Sequence, residues 1–210
     1  MKSWRSQAFM FLKQLFVYHP RLIDNYDFFF KIILDFYTTF LYTYHTVSKT
    51  YLDMIMKFEI WTDGGFVRQP ALGAWAFIIL SPSNDRIERY ALVDHHKQTS
   101  QVAEIMAILK SFQCMLHDVC KGDEKLASKL SLDVYSDSQY CVNSITSWMY
   151  SWQRSDWQVD KHNLDLWKQV YDLKHKFKSV KMNWVKGHAG IDLNEQVDKL
   201  TNIPLKAYRK

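Results

Sequence analysis

Four acids in this chain occupy places where a carboxylate needs a reason to be. Asp63 follows the apolar alternation of KFEIWT and Asp137 follows SLDVYS, so each stands at the carboxyl end of a predicted strand, where open α/β sheets build their sites. Taken alone, both acids read equally well as turn formers in unrelated places. Glu104 and Asp198 weaken that reading. Glu104 lies in the first turn of a predicted helix beside Val102, Ala103, Ile105 and Met106, and Asp198 falls between Val197 and Leu200 on the last one. A carboxylate among core residues is destabilising unless it is paired or bound to a cation. Four that converge make a hard, all-oxygen site suited to Mg²⁺ or Mn²⁺. When such a site holds two ions about 4 Å apart it performs in-line phosphoryl transfer, one ion activating water and the other stabilising the leaving oxygen.

The elements that must carry these acids begin at Lys57. KFEIWTD is a strand with Phe58, Ile60 and Thr62 on one face, running into an Asp-Gly-Gly turn. GAWAFIIL (73–80) is a continuous apolar run closed by Ser81-Pro82-Ser83-Asn84, and RIERYALV (86–93) is a third strand, which predicts an antiparallel meander. SQVAEIMAILKSFQCMLHDV sets Ile105, Ile108, Leu109, Phe112, Leu116 and Val119 at helical spacing, with Ser100 as the cap. SLDVYSD (131–137) is a strand, followed by a helix (138–149), a tryptophan-rich connection (148–157) and a helix from about Asn163 to Phe177. SVKMNWV, alternating Val180, Met182 and Trp184, is the fifth strand, and a last helix starts near Leu193. The order βββαβααβα predicts a mixed sheet with helices on its faces, an α/β or α+β layered fold.

Composition supports one sizeable core. With 210 residues and 48% hydrophobic residues, a disordered or collagenous chain is excluded, and length allows one domain of about 150 residues plus an extension. All six glycines lie after residue 60, so the first part of the chain is compositionally different. Cys114, Cys120 and Cys141 show neither CxxC nor Cys/His ligand spacing, which excludes a disulfide framework or structural zinc and places the chain in a reducing, cytoplasmic setting. The net charge of +5 is mild, but seven lysines (161, 168, 174, 176, 178, 181, 186) lie between Lys161 and His188 against Asp165 and Asp172. That stretch is either a solvated helix face or a phosphate-facing surface.

Residues 1–55 are rich in Phe and Tyr and contain no Gly. Lys13, Arg21, Asp24, Asp27, Lys31 and Asp35 interrupt every window long enough to span a bilayer, so no membrane helix and no stable membrane association are expected. The acid-free start through Lys2, Arg5, Lys13 and Arg21 suits an organelle transit peptide, whereas Lys13 splits a secretory core. The other readings are a helical addition, or an unselected extension upstream of a translation start at Met54 or Met56. The division expected is an aromatic extension over 1–55 and a catalytic domain over 56–210.

TDGG after a first strand, TSQVAE opening a helix, YSDSQYCVNSITSW and NWVKGHAGIDLNEQVD resemble the type 1 ribonuclease H family, in the family's order, over about residues 57–202. The resemblance implies a ribonuclease H-like fold with a five-stranded mixed sheet. It implies a monomeric endonuclease that hydrolyses the RNA strand of RNA–DNA hybrids by two-metal catalysis, with Mg²⁺ ions that Mn²⁺ can replace, leaving 5′-phosphate and 3′-hydroxyl ends. The metal ligands it implies are Asp63, Glu104, Asp137 and Asp198: Asp63 bridging both ions, Glu104 and Asp137 holding the one that activates water, Asp198 completing the other. The family's loop histidine falls on His188, between Gly187 and Gly190, where imidazole suits proton transfer or product departure. His95 and His96 belong to no motif and read as ordinary loop residues.

For the substrate, the resemblance implies reading of RNA 2′-hydroxyls in a shallow minor groove by Gly64, Gly65, Ser100, Gln101, Glu104 and Gln139, with Thr99 at a phosphate of the DNA strand. Ser100 replaces the family's usual asparagine. Trp148, Trp152 and Trp157 read either as core residues or as the aromatic channel for the deoxyribose strand. That protrusion is short and poor in cations here, Arg154 and Lys161 being offset by Asp156 and Asp160, so weaker hybrid affinity is expected; Lys168, Lys174 and Lys186 are candidates for compensating phosphate contacts. Two further readings stay open: a ribonuclease H domain of a reverse transcriptase, and a catalytically silent hybrid-binding module, against which the presence of all four acids argues.

Overall fold

The computed structural model describes residues 56–159 and 162–208; the extension over 1–55, Asp160, Lys161 and the terminal Arg209 and Lys210 lie outside them. Five strands form one mixed sheet: β1 (Lys57–Arg68), β2 (Ala71–Leu80), β3 (Arg86–Leu92), β4 (Ser131–Ser136) and β5 (Ser179–Trp184), in the order β3-β2-β1-β4-β5. The meander is antiparallel, as its short turns require, whereas β4 runs parallel to β1 and β5 parallel to β4. The expected α/β layering and five-stranded mixed sheet are therefore present.

Both faces of the centre of the sheet are buried, and side-chain alternation explains how. On β1 and β2, Ile60, Phe77 and Ile79 face a large core shared with Ile105, Ile108 and Phe112 of α1 (Ser100–Cys114). The intervening residues Trp61, Ala76 and Ile78 face a smaller core. A short helix α2 (Glu124–Ala127), capped by Asp123, leads into β4. After β4 come α3 (Gln139–Asn143), a π-helical turn (Ser144–Trp148), α4 (Met149–Arg154) and α5 (Leu164–Lys174), whose Trp167 and Val170 join the large core. The last helix, α6 (Asp192–Leu205), supplies Val197 to the smaller core.

Three local readings are corrected. Gly64 and Gly65 do not form a turn: β1 continues to Arg68, with Gly64 opposite Trp75 and Gly65 opposite Ala74. Their lack of a side chain serves close approach on alternate faces. A Cβ on Gly64 would stand 2.2 Å from the Glu104 nitrogen, and one on Gly65 would stand 2.8 Å from Thr201 Cγ2. The cap of α1 is Thr99, whose Oγ1 accepts from the Val102 N–H at 3.1 Å, one residue before the expected Ser100. The helix expected over 138–149 runs on through the π-helical turn to Arg154, so Trp148 and Trp152 are helical rather than part of a connection. Cys114, Cys120 and Cys141 are free and buried, in keeping with the expected absence of disulfides.

Candidate active site

Asp63 enters the site from β1, on the side of the strand that faces α6. Glu104 comes from the first turn of α1, which Gly64 lets approach the strand at backbone contact. Asp137 follows the last residue of β4, held between Ser136, whose Oγ accepts from the Ser138 N–H, and the Ser138 hydroxyl that caps α3. One carboxylate oxygen from each of Asp63, Glu104 and Asp137 lies within 4.8 Å of the others. Asp198, on α6, stands outside that group of three but near enough to act on Asp63.

The electrostatics are those of buried carboxylates brought close together. Burial pushes Asp63 up from 3.8 to about 6, with the negative charges of Asp137 and Asp198 adding to the rise, while hydrogen bonds from the Thr201 hydroxyl and the Gly64 backbone act against it. Burial likewise holds Glu104 well above the usual carboxylate range, reinforced by Asp63 and Asp137. Glu104 Oε2 is buried with no hydrogen-bond partner. A buried carboxylate oxygen without a partner, on an acid that converges with two others, fits a hard divalent cation, which would satisfy it and neutralise the cluster.

The other expected residues gather around this end of the sheet to different degrees. Thr99, Ser100 and Gln101 are exposed at the start of α1, and Gln139 is exposed at the start of α3, the two helices that begin beside the acids. His188 is exposed in the β5–α6 turn, in the left-handed region at φ 52°, and makes no hydrogen bond among the described residues. The turn itself does touch the site: a Cβ on Gly187 would stand 2.8 Å from Asp137 Oδ2. The three tryptophans separate. Trp152 is 6% exposed and packed in the large core, Trp148 is 41% exposed, and Trp157 is half-buried, edge-on to Tyr171. Of the lysine-rich stretch, Lys176 pairs with Glu124 and Lys174 donates to the Tyr150 hydroxyl, so part of it is structural.

Two residues beside the acids escaped sequence reasoning. Thr201 Oγ1 lies 2.6 Å from Asp63 Oδ2 in the buried interior, a contact that its spacing three residues after Asp198 hints at. Trp184, 48% exposed, donates its indole N–H to the Asp137 carbonyl oxygen at 3.0 Å. His95, in the loop before α1, lies 2.9 Å from Asp165 at the start of α5.

A mixed sheet of this order, with carboxylates from β1, the first turn of α1 and the end of β4 converging on one another, defines a class of acid-centred nucleases, and comparison with known proteins names the family. The RNase H family model matches residues 56–204. The ribonuclease H of Treponema denticola is 30% identical over 152 residues, covering 69% of this chain and 94% of that protein. That of Hahella chejuensis is 32% identical over 152 residues, covering 70% and 93%. Among solved structures, the N-terminal RNase H domain of rv2228c from Mycobacterium tuberculosis superposes with a TM-score of 0.53 at 22% identity, over 72% of this chain and 95% of that one. LC9-RNase H1, a type 1 RNase H with the type 2 active-site motif, gives 0.59 at 21% identity, over 73% and 74%. These two show the fold. The chain belongs to the ribonuclease H family and is a hydrolase of that class, a family of nucleases that acts on RNA–DNA hybrids. No helix among the described residues is long and apolar enough to cross a membrane.

Proposed function

We propose that this chain is a monomeric endonuclease that hydrolyses the RNA strand of RNA–DNA hybrids with two Mg²⁺ ions, which Mn²⁺ can replace, leaving 5′-phosphate and 3′-hydroxyl ends. The observation that carries the reading is the convergence of Asp63, Glu104 and Asp137 within 4.8 Å, with a partnerless oxygen on Glu104. Asp63, Glu104, Asp137 and Asp198 would hold the ions. When bound, these supply Lewis acidity at the phosphate and lower the pKa of water.

The chain's own groups do the rest. Three acids from three different elements fix where the scissile phosphate must sit, and the low-dielectric floor formed by buried Asp63 strengthens every charge interaction there. His188, exposed on its turn beside Asp137, accepts or returns a proton at the departing end and helps product leave. Thr99, Ser100, Gln101 and Gln139 offer hydroxyl and amide groups to the backbone and 2′-hydroxyls of the hybrid, and Trp148 offers an open ring to the deoxyribose strand. Gly64 and Gly65 contribute by admitting helices to both faces of β1. Residues 56–210 form the catalytic domain, and residues 1–55 supply none of these groups.

Cleavage of end-labelled RNA–DNA hybrid, double-stranded DNA and double-stranded RNA by the full chain and by a protein starting at Met56 tests this. The RNA of the hybrid should be cut with 5′-phosphate ends, EDTA should abolish the reaction, and the two proteins should agree within a few-fold. Equal cutting of duplex DNA, or activity undiminished in EDTA, would overturn the assignment.

A further inference from the structure

We propose that Thr201 is a positioning residue for Asp63, seated by the missing side chain of Gly65, and that its hydroxyl sets the site's affinity for the divalent ion. The inference rests on the functional reading above and adds a residue that touches neither substrate nor ion. Asp198 and Thr201 are three apart on α6 and so share a face of the helix. Thr201 is fully buried, with Oγ1 2.6 Å from Asp63 Oδ2 and 2.8 Å from the Val197 carbonyl oxygen.

One hydroxyl carries one proton, and two acceptors stand within its reach. The carboxylate is the nearer, and 2.6 Å is the length of a charge-assisted O–H···O⁻ bond. The Val197 carbonyl, one turn back on the same helix, lies 2.8 Å from the same hydroxyl and is the alternative acceptor for its one proton. Thr201 is the only side chain that donates to Asp63 among the described residues, the remaining donor being the Gly64 backbone. With Oδ2 tied to α6, the plane of the carboxylate is set relative to Glu104 and Asp137.

Gly65 makes this contact sterically possible. A Cβ there would lie 2.8 Å from Thr201 Cγ2 and 2.9 Å from Leu205 Cδ1, so any larger residue would lift α6 from the strand and draw the hydroxyl away from Asp63. The threonine methyl fills the space above Gly65 while the hydroxyl reaches past it. The two halves of the side chain thus have separable tasks, packing for the methyl and orientation for the hydroxyl.

Thr201→Val keeps the shape and loses the hydroxyl; Thr201→Ser keeps the hydroxyl and loses the methyl. Removing a group that orients a metal ligand lowers metal affinity by about 10- to 100-fold. Thr201→Val should therefore raise the Mg²⁺ concentration for half-maximal hybrid cleavage by about tenfold or more, and weaken Mg²⁺ binding in calorimetry to match. The KM for hybrid at saturating Mg²⁺ should stay the same. Thr201→Ser should stay near wild type in Mg²⁺ dependence despite a lower melting temperature. A valine variant with wild-type Mg²⁺ binding, or a serine variant as impaired toward Mg²⁺ as the valine one, would overturn the proposal and leave Thr201 a packing residue. Wild-type protein that binds Mg²⁺ but cuts no hybrid would instead overturn the functional reading, with the calorimetric comparison still deciding the role of Thr201.

Discussion

The carboxylate centre and the aromatic cluster of α3, α4 and α5 are built by opposite means. At the carboxylate centre, position depends on atoms that are absent and on single polar contacts: Gly64 admits the backbone of α1, Gly65 admits the Thr201 and Leu205 side chains of α6, Gly187 lies against Asp137, and one threonine hydroxyl holds Asp63. Across α3, α4 and α5, position comes from rings packed on rings. Tyr140 meets Trp148 and Trp167, Trp152 meets both tryptophans, and Tyr171 meets Tyr150, Trp157 and His175. A geometry held by one hydrogen bond or one missing methyl fails all at once. A cluster of many dispersive contacts loses stability by degrees.

The sharpest way to break the centre is Asp137→Asn, which removes one formal charge and one ligand oxygen. Turnover should fall by about a thousandfold or more, as when a charge-stabilising group is taken from a reacting centre. Relief of like-charge repulsion should leave the metal-free fold as stable or more so. Near-wild-type cleavage would remove Asp137 from the ligand set. In the aromatic region the matching experiment is Trp152→Ala. Its burial at 6% exposure predicts a loss of about 3–5 kcal/mol in unfolding free energy, measured in urea, before any specific effect on turnover.

Burial of the acids also gives the centre a pH signature in the acidic range. Asp63 has its pKa raised from 3.8 to about 6 in the folded chain, so the native state holds that proton more tightly than the unfolded one. The stability this contributes is present below about pH 4 and is lost as pH rises through about 6, a change on the order of 3 kcal/mol. Glu104, raised for the same reason, acts in the same direction. In EDTA, Asp63→Asn should therefore gain on wild type between pH 4 and pH 7 in urea unfolding. Parallel curves would show that Asp63 does not carry the strain of the metal-free site.

The smaller effects lie at the rim of each region. His188→Ala should slow turnover by about 10- to 100-fold, the range for loss of one proton-transfer group, with Mg²⁺ binding unchanged in calorimetry. Lost metal binding would make His188 part of the ion site. Trp148→Ala, at 41% exposure, should leave stability nearly intact and raise the KM for hybrid a few-fold, at about 1 kcal/mol for one stacking contact. A larger loss of stability than Trp152→Ala would reverse the assignment of inner and outer tryptophan.

Periodicity and strand ends carried much of this protein in its sequence alone. The alternation in KFEIWTD and SVKMNWV, the apolar run of GAWAFIIL and the helical spacing from Ile105 to Phe112 are local signals, so the strand order in the chain and the layered fold were legible. The four acids stood out because a carboxylate beside core residues violates local expectation. What the tertiary structure decided depends on which atoms of distant segments meet. Gly64 and Gly65 carry the residue signature of a turn, and only the arrival of α1 and α6 on opposite faces of β1 shows them to be the gaps that let two helices in. Trp148 and Trp152 are the same residue type four positions apart, separated into rim and core by the partners that α5 brings. Thr201 and Asp63 are 138 residues apart; the spacing from Asp198 sets only the helix face on which Thr201 lies, and the hydrogen bond itself depends on packing that exists only once the sheet has formed.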